Sequence, residues 1–471
     1  MMSLHEMLKE KFGLERFQGY QQATCEALIN GEDVILIAPT GSGKSLCYQL
    51  PGLVRKGTAL VISPLISLMN DQVAKLRTLG FRAASLNSGN NHLLNWQILI
   101  ACSEQKLDFL FVTPERLKEK NFSEVLRNTP VALVAVDEAH CISEWGHDFR
   151  PEYRLIKKGL SVITKKPPII ALSATATPHV QQDIIGQLGL NAPRKFTAGF
   201  WRENIAIKIL ETPPEHRLDL ILEVLSTPSA RPAIIYAVSR RECELWAEGL
   251  RGKIKAGLYH AGLEAYELIK THKSFLRGDI EVLSATAAFG MGIDTPNVRT
   301  IIHAGLPSSI EQYSQEIGRA GRDGGLSQAI LLYSRRDLYF HEMLIGMRYP
   351  SIKVLKDFEA LIDVQPKKIS ELARLLPLEP SEFERATQIL LGYGAARRNG
   401  QYIVKAPISE WEKIYAARVI KKTEDALRVY RFSETDRCRM NEISKYFGND
   451  APNRSCKICD NCLTRHLSLV V

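Results

Sequence analysis

Between about residues 30 and 200, short β-branched apolar runs alternate with amphipathic stretches. The runs fall at 34–37, 59–62, 109–112, 133–136 and 169–172, each closed by a polar or small-residue cluster. An unbroken apolar run of this length suits a strand buried on both faces, and so a parallel sheet flanked by helices. The pattern restarts beyond residue 200 with runs at 233–236, 280–283, 300–303 and 329–332. Two successive α/β domains are therefore expected, with a boundary between residues 199 and 214. From about residue 346 the strand signal fades. A short helix is predicted over 369–376, and a second opens at Pro380-Ser381-Glu382 with Ser381 as its N-cap. Arg397-Arg398-Asn399-Gly400 follows, and Asn-Gly is a strong hairpin turn signal. Two helices and a basic hairpin match a winged helix, with a plain helical spacer as the alternative. Residues 410–431 read as one long charged helix. The expected organisation is a first α/β lobe over 1–205, a second over 206–345, a mainly helical, winged-helix-like segment over 346–432 and a small cysteine module over 433–471.

Ala38-Pro39-Thr40-Gly41-Ser42-Gly43-Lys44-Ser45 lies between a predicted strand and a predicted helix. That is the context of a P-loop, in which glycines let backbone N–H groups turn inward to cradle phosphates. Thr40, Gly41, Ser42, Gly43, Lys44 and Ser45 are the candidate ATP-binding residues, with Lys44 reaching the β/γ-phosphates and Ser45 holding Mg²⁺. Asp137-Glu138-Ala139-His140 follows the run at 133–136. A carboxylate at a strand tip facing a P-loop suits Mg²⁺, which is Asp137, and Glu138 is placed to orient or deprotonate the attacking water. Arg319 and Arg322, in Gly318-Arg319-Ala320-Gly321-Arg322, belong to the second lobe. They can reach a γ-phosphate only if the lobes close, so Arg322 is the expected arginine finger, supported by Arg319. These two positions gain weight from sharing the chain with the P-loop and with Gly290-Met291-Gly292-Ile293-Asp294.

Cys438, Cys456, Cys459 and Cys462 form C-x17-C-x2-C-x2-C. Thiolates at x2 spacing clamp one metal in a tight turn and a distant fourth completes a tetrahedron, which suits structural Zn²⁺. An iron–sulfur cluster also takes four cysteines. The remaining cysteines, Cys25, Cys47, Cys102, Cys141 and Cys243, sit in apolar contexts and read as small buried hydrophobes of a reducing compartment. The formal charge of +9 favours a polyanionic partner without identifying one. No apolar run reaches the roughly 18 residues that would cross a bilayer, and the start lacks the basic-then-apolar pattern of a secretory signal. A cytoplasmic protein with no membrane partner is expected, on the nucleoid if bacterial.

The P-loop, Asp137-Glu138-Ala139-His140, Ser173-Ala174-Thr175 and Gly318–Arg322, in that order, resemble a superfamily two helicase. The aromatic-rich loop Cys141-Ile142-Ser143-Glu144-Trp145-Gly146-His147-Asp148-Phe149-Arg150-Pro151 narrows the resemblance to the RecQ family. The cysteine run has that family's zinc-module pattern, which argues against iron–sulfur. The resemblance implies two tandem RecA-like lobes and ATP, Mg²⁺ and Zn²⁺ as cofactors. It further implies 3′→5′ unwinding of DNA in repair and recombination. Expected partners are single-stranded and tailed or forked duplex DNA, together with single-strand-binding or repair proteins. Trp145, His147, Phe149 and Arg150 become the expected DNA contacts, through stacking faces and charge. Gln21 becomes the reader of the adenine edge. Two positions depart from the family's pattern: Gln18 stands where an arginine is usual, and Leu14 where an aromatic packs on adenine. The winged-helix-like segment precedes the cysteines, whereas in longer members a winged helix follows them. The alternative to an unwinding enzyme is a DNA-stimulated ATPase that remodels complexes or anneals strands.

Overall fold

The computed structural model describes residues 2–146, 148–199, 201–290, 297–406, 410–448 and 455–468. His147 and Met291–Asp294, both singled out in the sequence, lie outside the described residues. The chain divides into two compact units, Met1–Gly305 with Ile310–Leu332 and Thr435–Val471, and Leu306–Ser309 with Tyr333–Glu434.

The first unit holds two sheets. Strands β1 Val34–Ile37, β2 Thr58–Ile62, β3 Ala83–Leu86, β4 Phe109–Val112, β5 Val131–Val136, β6 Ile169–Ser173 and β7 Arg194–Thr197 form one, in the order β3-β4-β2-β5-β6-β1-β7. Its ladders are parallel, for example Ile35 beside Ala171 and Leu60 beside Val134. Every residue of β1 and β2 is buried, as expected of central strands covered by helices on both faces. On one face Val34, Leu36, Val61, Phe109, Phe111 and Leu172 pack together as a core. Strands β8 Ile205–Glu211, β9 Ala233–Tyr236, β10 Ala256–Tyr259, β11 Val282–Ala285, β12 Thr300–His303 and β13 Ser327–Tyr333 form the second sheet, in the order β10-β11-β9-β12-β13-β8. The expected run at 280–283 is displaced by two residues, because Ile280 and Glu281 enter the strand rather than belong to it.

Strand order makes β1 the neighbour of β6 and puts β5 one strand further along. Because the strands are parallel, the loops after β1, β5 and β6 open on the same edge of the sheet. The P-loop, the acidic motif and Ser173 are therefore brought together by topology.

The second unit has its own core of Leu355, Phe358, Leu372, Leu390, Ile403 and Trp411. Helix Ile352–Leu361 is followed by β14 Lys367–Lys368, helices Ile369–Leu375 and Pro380–Gly392, and the hairpin β15 Ala396–Asn399 and β16 Tyr402–Lys405. The three strands pair in the order β14-β16-β15. Asn399 pairs with Tyr402, so the turn is Gly400-Gln401. Gly400 has φ +60°, the conformation the first residue of such a two-residue turn requires. The cap of the second helix is Glu379, with Pro380 at the first helical position, and not Ser381. Proline's fixed φ suits that position and its missing N–H costs nothing there, so it sets the start two residues earlier. Helix Trp411–Glu434 closes the unit, its Trp411 indole donating to Glu359 at 3.0 Å and its Tyr415 hydroxyl to the Pro350 carbonyl at 2.6 Å.

Candidate active site and metal centre

The loop after β1 turns through Gly41 and Gly43, both with positive φ, at +76° and +75°. The Lys44 ammonium donates to the carbonyls of Ala38 at 2.7 Å and Pro39 at 3.0 Å, which folds it over the loop. Burial pushes the Lys44 pKa down, while the nearby charges of Glu138 and Asp137 pull it up. From the helix Gln21–Ile29, Gln21 donates through its amide to the Gly43 carbonyl at 3.2 Å and accepts from the Gln18 backbone N–H at 2.8 Å. Both ends of that amide are thus engaged with the chain, and Leu14 is exposed. Tyr20 donates to the Ser42 carbonyl at 2.7 Å, and the Ser42 hydroxyl donates to the Pro39 carbonyl at 2.6 Å. No sequence signal drew attention to Tyr20, whose hydroxyl braces the loop from outside the motif.

At the end of β5 Glu138 has φ +46° and ψ +44°. A non-glycine residue held in the left-handed region costs on the order of 1–3 kcal/mol, and such strain collects at functional sites. The turn buries the Glu138 carboxylate beside Lys44 and sets its Oε2 3.3 Å from His140 Nδ1. Asp137 accepts from the Glu138 backbone N–H at 3.0 Å, and Tyr153 donates to the Asp137 carbonyl at 2.9 Å. Burial first, and the Glu138 charge second, push the Asp137 carboxyl up to about 7. Burial likewise raises Glu138 and lowers His140 to about 4, so the imidazole is neutral at pH 7. His140 Nδ1 also lies 3.0 Å from the Ser173 hydroxyl at the end of β6. His140, Ser173 and Tyr153 were assigned no role from the sequence. The contact across strands that gives them one has no local signature.

Glu138 Oε2 is buried without a hydrogen-bond partner among the described residues. With Asp137, and with the Ser45 hydroxyl of the P-loop itself, it offers hard oxygen donors, the donor chemistry Mg²⁺ takes. Arg319 and Arg322 come from the second sheet's side of the same unit. A side chain at Gly41 would meet the Arg322 methylenes at 3.2 Å, and Thr40 donates to the Gly318 carbonyl at 3.3 Å. The Arg322 charge acts on Lys44 and the Arg319 charge on Glu138. The structure thus brings both arginines to the P-loop and the acidic motif.

The loop after this motif is drawn back against it. Arg150 donates through its backbone N–H to the Cys141 carbonyl at 2.9 Å, and through its guanidinium to Asp148 at 3.1 Å and the Pro64 carbonyl at 3.1 Å. Gly146 lies so close to the His140 carbonyl that any Cβ would collide with it. Trp145, 38% exposed, stands edge-on to His179 with ring centroids 5.3 Å apart. Phe149 has the Arg154 guanidinium over its ring at 5.3 Å. Trp145 is therefore exposed and Phe149 half-buried, in the loop that follows Asp137 and Glu138, and Arg150 is held by the loop itself.

Cys438, Cys456, Cys459 and Cys462 place their sulfurs within 4.8 Å of one another. A tetrahedron of thiolates about 2.3 Å from a zinc ion has edges of roughly 3.8 Å, and the Cys456 and Cys462 sulfurs are 3.8 Å apart. The four thiols therefore fit Zn²⁺. The module is tied to the lobes around it. Tyr446 donates to Glu311 at 2.6 Å and the Ile209 N–H of β8 donates to Asp460 at 2.9 Å, a carboxylate held inside the module by Arg439 at 3.0 Å. A Cβ at Gly448 would meet Pro178 of the first lobe at 2.5 Å.

Three stretches match known families: residues 18–184 the DEAD/DEAH box helicases, 216–324 the helicase conserved C-terminal domain and 411–463 the RecQ zinc-binding family. The probable ATP-dependent DNA helicase RecS of Bacillus subtilis (strain 168) is 35% identical over 484 residues, covering 98% of this chain and 92% of that protein. The chain belongs to the RecQ family of helicases. The ATP-dependent DNA helicase RecQ of the same organism is 40% identical over 75% of this chain and 60% of its own length. Among solved structures, the DEAD-box helicase Mss116 bound to ssRNA and UDP-BeF superposes with a TM-score of 0.61 at 17% identity, over 94% of this chain and 92% of that one. That likeness establishes two RecA-like lobes and the shared helicase fold. In this RecQ-family chain, the stretch matched as RecQ zinc-binding begins at residue 411, after the hairpin of the second unit. Among the described residues, no helix is long and apolar enough to cross a membrane.

Proposed function

We propose that the chain is an ATP-driven motor that moves 3′→5′ along single-stranded DNA and opens duplexes during repair and recombination. The observation that carries this reading is the closure of Arg319 and Arg322 on the P-loop, with an aromatic loop fastened directly behind Glu138. The curated relatives named above are called ATP-dependent DNA helicases, and the DNA substrate is taken from them. Lys44 and the loop N–H groups hold the nucleotide's phosphates. Mg²⁺, when bound by Ser45 and Asp137, neutralises charge on them. Glu138 orients the attacking water and accepts its proton, and Arg322 meets the charge that develops on the γ-phosphate. The neutral His140, hydrogen-bonded to Ser173, lies against Glu138, and Arg150 joins the aromatic loop to the segment at Pro64. Movement of a base against Trp145 can then reach the carboxylates through the loop that follows them.

The deciding measurement is unwinding of 3′-tailed against 5′-tailed duplexes with ATP and Mg²⁺, with Lys44→Ala as control. Unwinding of the 3′-tailed duplex alone, lost in the variant, is the expected result. DNA-stimulated hydrolysis without unwinding would favour a remodeller or annealing factor. Trp145→Ala is expected to bind single-stranded DNA at least about fivefold more weakly, since one base–aromatic stack contributes about 1–3 kcal/mol. Its hydrolysis without DNA should be unchanged, and equal loss with and without DNA would show that Trp145 only supports the fold.

The helix–strand–helix–helix–hairpin order of the second unit supports a winged helix. On the outer face of its sheet Lys368, Tyr402 and Asn399 stand in one row, with Arg397 and Val404 in the next. Replacing Arg397 and Arg398 with alanine should impair unwinding several-fold while leaving DNA-stimulated hydrolysis near wild type, if this hairpin parts the strands. Parallel loss of both activities, or of neither, excludes that role.

A further inference from the structure

The first sheet has a second opening, at the edge opposite the P-loop. A hollow of about 650 Å³ lies between the end of the helix Gln21–Ile29 and the segments that lead into β2, β5 and β6. Five cations line it, Arg55, Lys56, Arg127, Lys165 and Lys166, and no carboxylate does. They divide into two kinds. Arg55 is structural: it donates to the carbonyls of Ala132 at 2.7 Å, Leu28 at 3.1 Å and Ile29 at 2.7 Å, which fastens three segments around the hollow. Lys166 lies 3.7 Å from Asp33, whose carboxylate already accepts the backbone N–H groups of Ile169 and Asn191. Lys56, Arg127 and Lys165 are exposed and make no ion pair among the described residues. Three uncommitted cations from three different connections, converging on one concavity, present a strong positive potential that nothing in the fold uses.

We propose that this hollow is a second nucleic-acid contact, which takes the phosphodiester backbone of a strand outside the motor cleft. The inference rests on the motor acting on nucleic acid, as proposed above. A backbone fits better than a compact anion because the cations are distributed around an open hollow rather than focused by backbone N–H groups as in the P-loop. Pro130 and Ile163 in the lining give apolar surface for sugars. The two sites are at opposite ends of β5, which at about 3.3 Å per residue separates them by roughly 20 Å. A strand must therefore run several nucleotides beyond the motor to reach the hollow.

The test is the full-length chain carrying Lys56→Gln, Arg127→Gln and Lys165→Gln together, compared with wild type on short and long DNA. All three side chains are exposed, so the fold should tolerate the changes, and an unchanged melting curve verifies it. With an oligonucleotide of about eight nucleotides, affinity and stimulated hydrolysis should match wild type. With a strand of about thirty nucleotides or a long-tailed duplex, affinity should fall about tenfold or more. The slope of log affinity against log salt should fall by about 2, from the roughly 0.7 that each single-strand phosphate contact contributes. Wild-type affinity and slope on long DNA would overturn the proposal, as would equal losses on short and long DNA. Saturable binding of inorganic phosphate that the triple variant loses, with long-DNA affinity unchanged, would reassign the hollow to a small anion. If wild-type protein shows no DNA-stimulated hydrolysis on either length, it is the motor reading that fails.

Discussion

Replacing Arg322 with alanine is expected to lower the kcat for ATP hydrolysis by roughly 10³-fold, with a much smaller change in KM. The side chain lies over Gly41 and its charge is felt at Lys44, and the proposed mechanism has it meet the charge that accumulates on the leaving and transferring phosphates. An arginine finger acts mainly in the transition state, which is why the loss should fall on kcat. A thousandfold corresponds to about 4 kcal/mol of barrier. Arg322→Lys should recover little, because a lysine carries the charge without the planar fork. Glu138→Gln provides the comparison from the other side of the cleft. It should retain nucleotide and DNA binding, lose hydrolysis to a similar degree, and show no further loss when combined with Arg322→Ala, since the two groups act on one step. An Arg322→Ala enzyme with wild-type kcat and raised KM would make the residue a ground-state phosphate clamp and remove it from the proposed mechanism.

The residues of this cleft differ in how legible they are in the sequence. Lys44, Asp137 and Glu138 announce themselves because backbone geometry dictates their spacing. Glycines at Gly41 and Gly43 permit the turn, and a strand tip puts a carboxylate opposite it. Tyr20 and Tyr153 do not, since each acts through a hydrogen bond made to a residue distant in the chain, and Ser173 is legible as part of a motif but not in its bond to His140. The strands divide in the same manner. Central strands such as β1 and β5 are buried on both faces and read as apolar runs. The polar β7, Arg194–Thr197, is a mostly exposed edge, and β10, Ala256–Tyr259, is a half-buried one. β8 alternates buried and exposed positions because one face meets solvent. β3 is fully buried, but its sequence Ala-Ala-Ser-Leu has no β-branched residue to mark it. Gln21 illustrates a different limit: its position near the loop is legible, but its engagement with the Gly43 carbonyl and the Gln18 N–H depends on the loop's path.

Removing the zinc site should have consequences beyond the module itself. Cys459→Ser is expected to abolish binding of one Zn²⁺ per chain and to lower the melting temperature by on the order of 10 °C. Apparent binding energies of structural zinc sites reach about 10–16 kcal/mol in isolated peptides, and that energy is folding energy. Here most of it would be lost from a segment that grips its neighbours at three places. Asp460, adjacent to Cys459, accepts the Ile209 N–H of β8 and the Arg439 guanidinium. Tyr446 donates to Glu311 on the helix that runs on to Arg319 and Arg322, and Gly448 abuts Pro178 just after Ser173-Ala174-Thr175. A module that comes loose should therefore depress hydrolysis as well as stability, although none of its four cysteines belongs to the P-loop or the acidic motif. Tyr446→Phe separates the two effects: it keeps all four thiols, so zinc content should remain at one per chain while hydrolysis falls. Zinc released by a thiol-reactive agent and counted with a colorimetric chelator gives the stoichiometry, and a visible absorption band would instead indicate iron–sulfur. A Cys459→Ser protein that retains its zinc and melts within a degree of wild type would show that the cysteines hold nothing on which the fold depends.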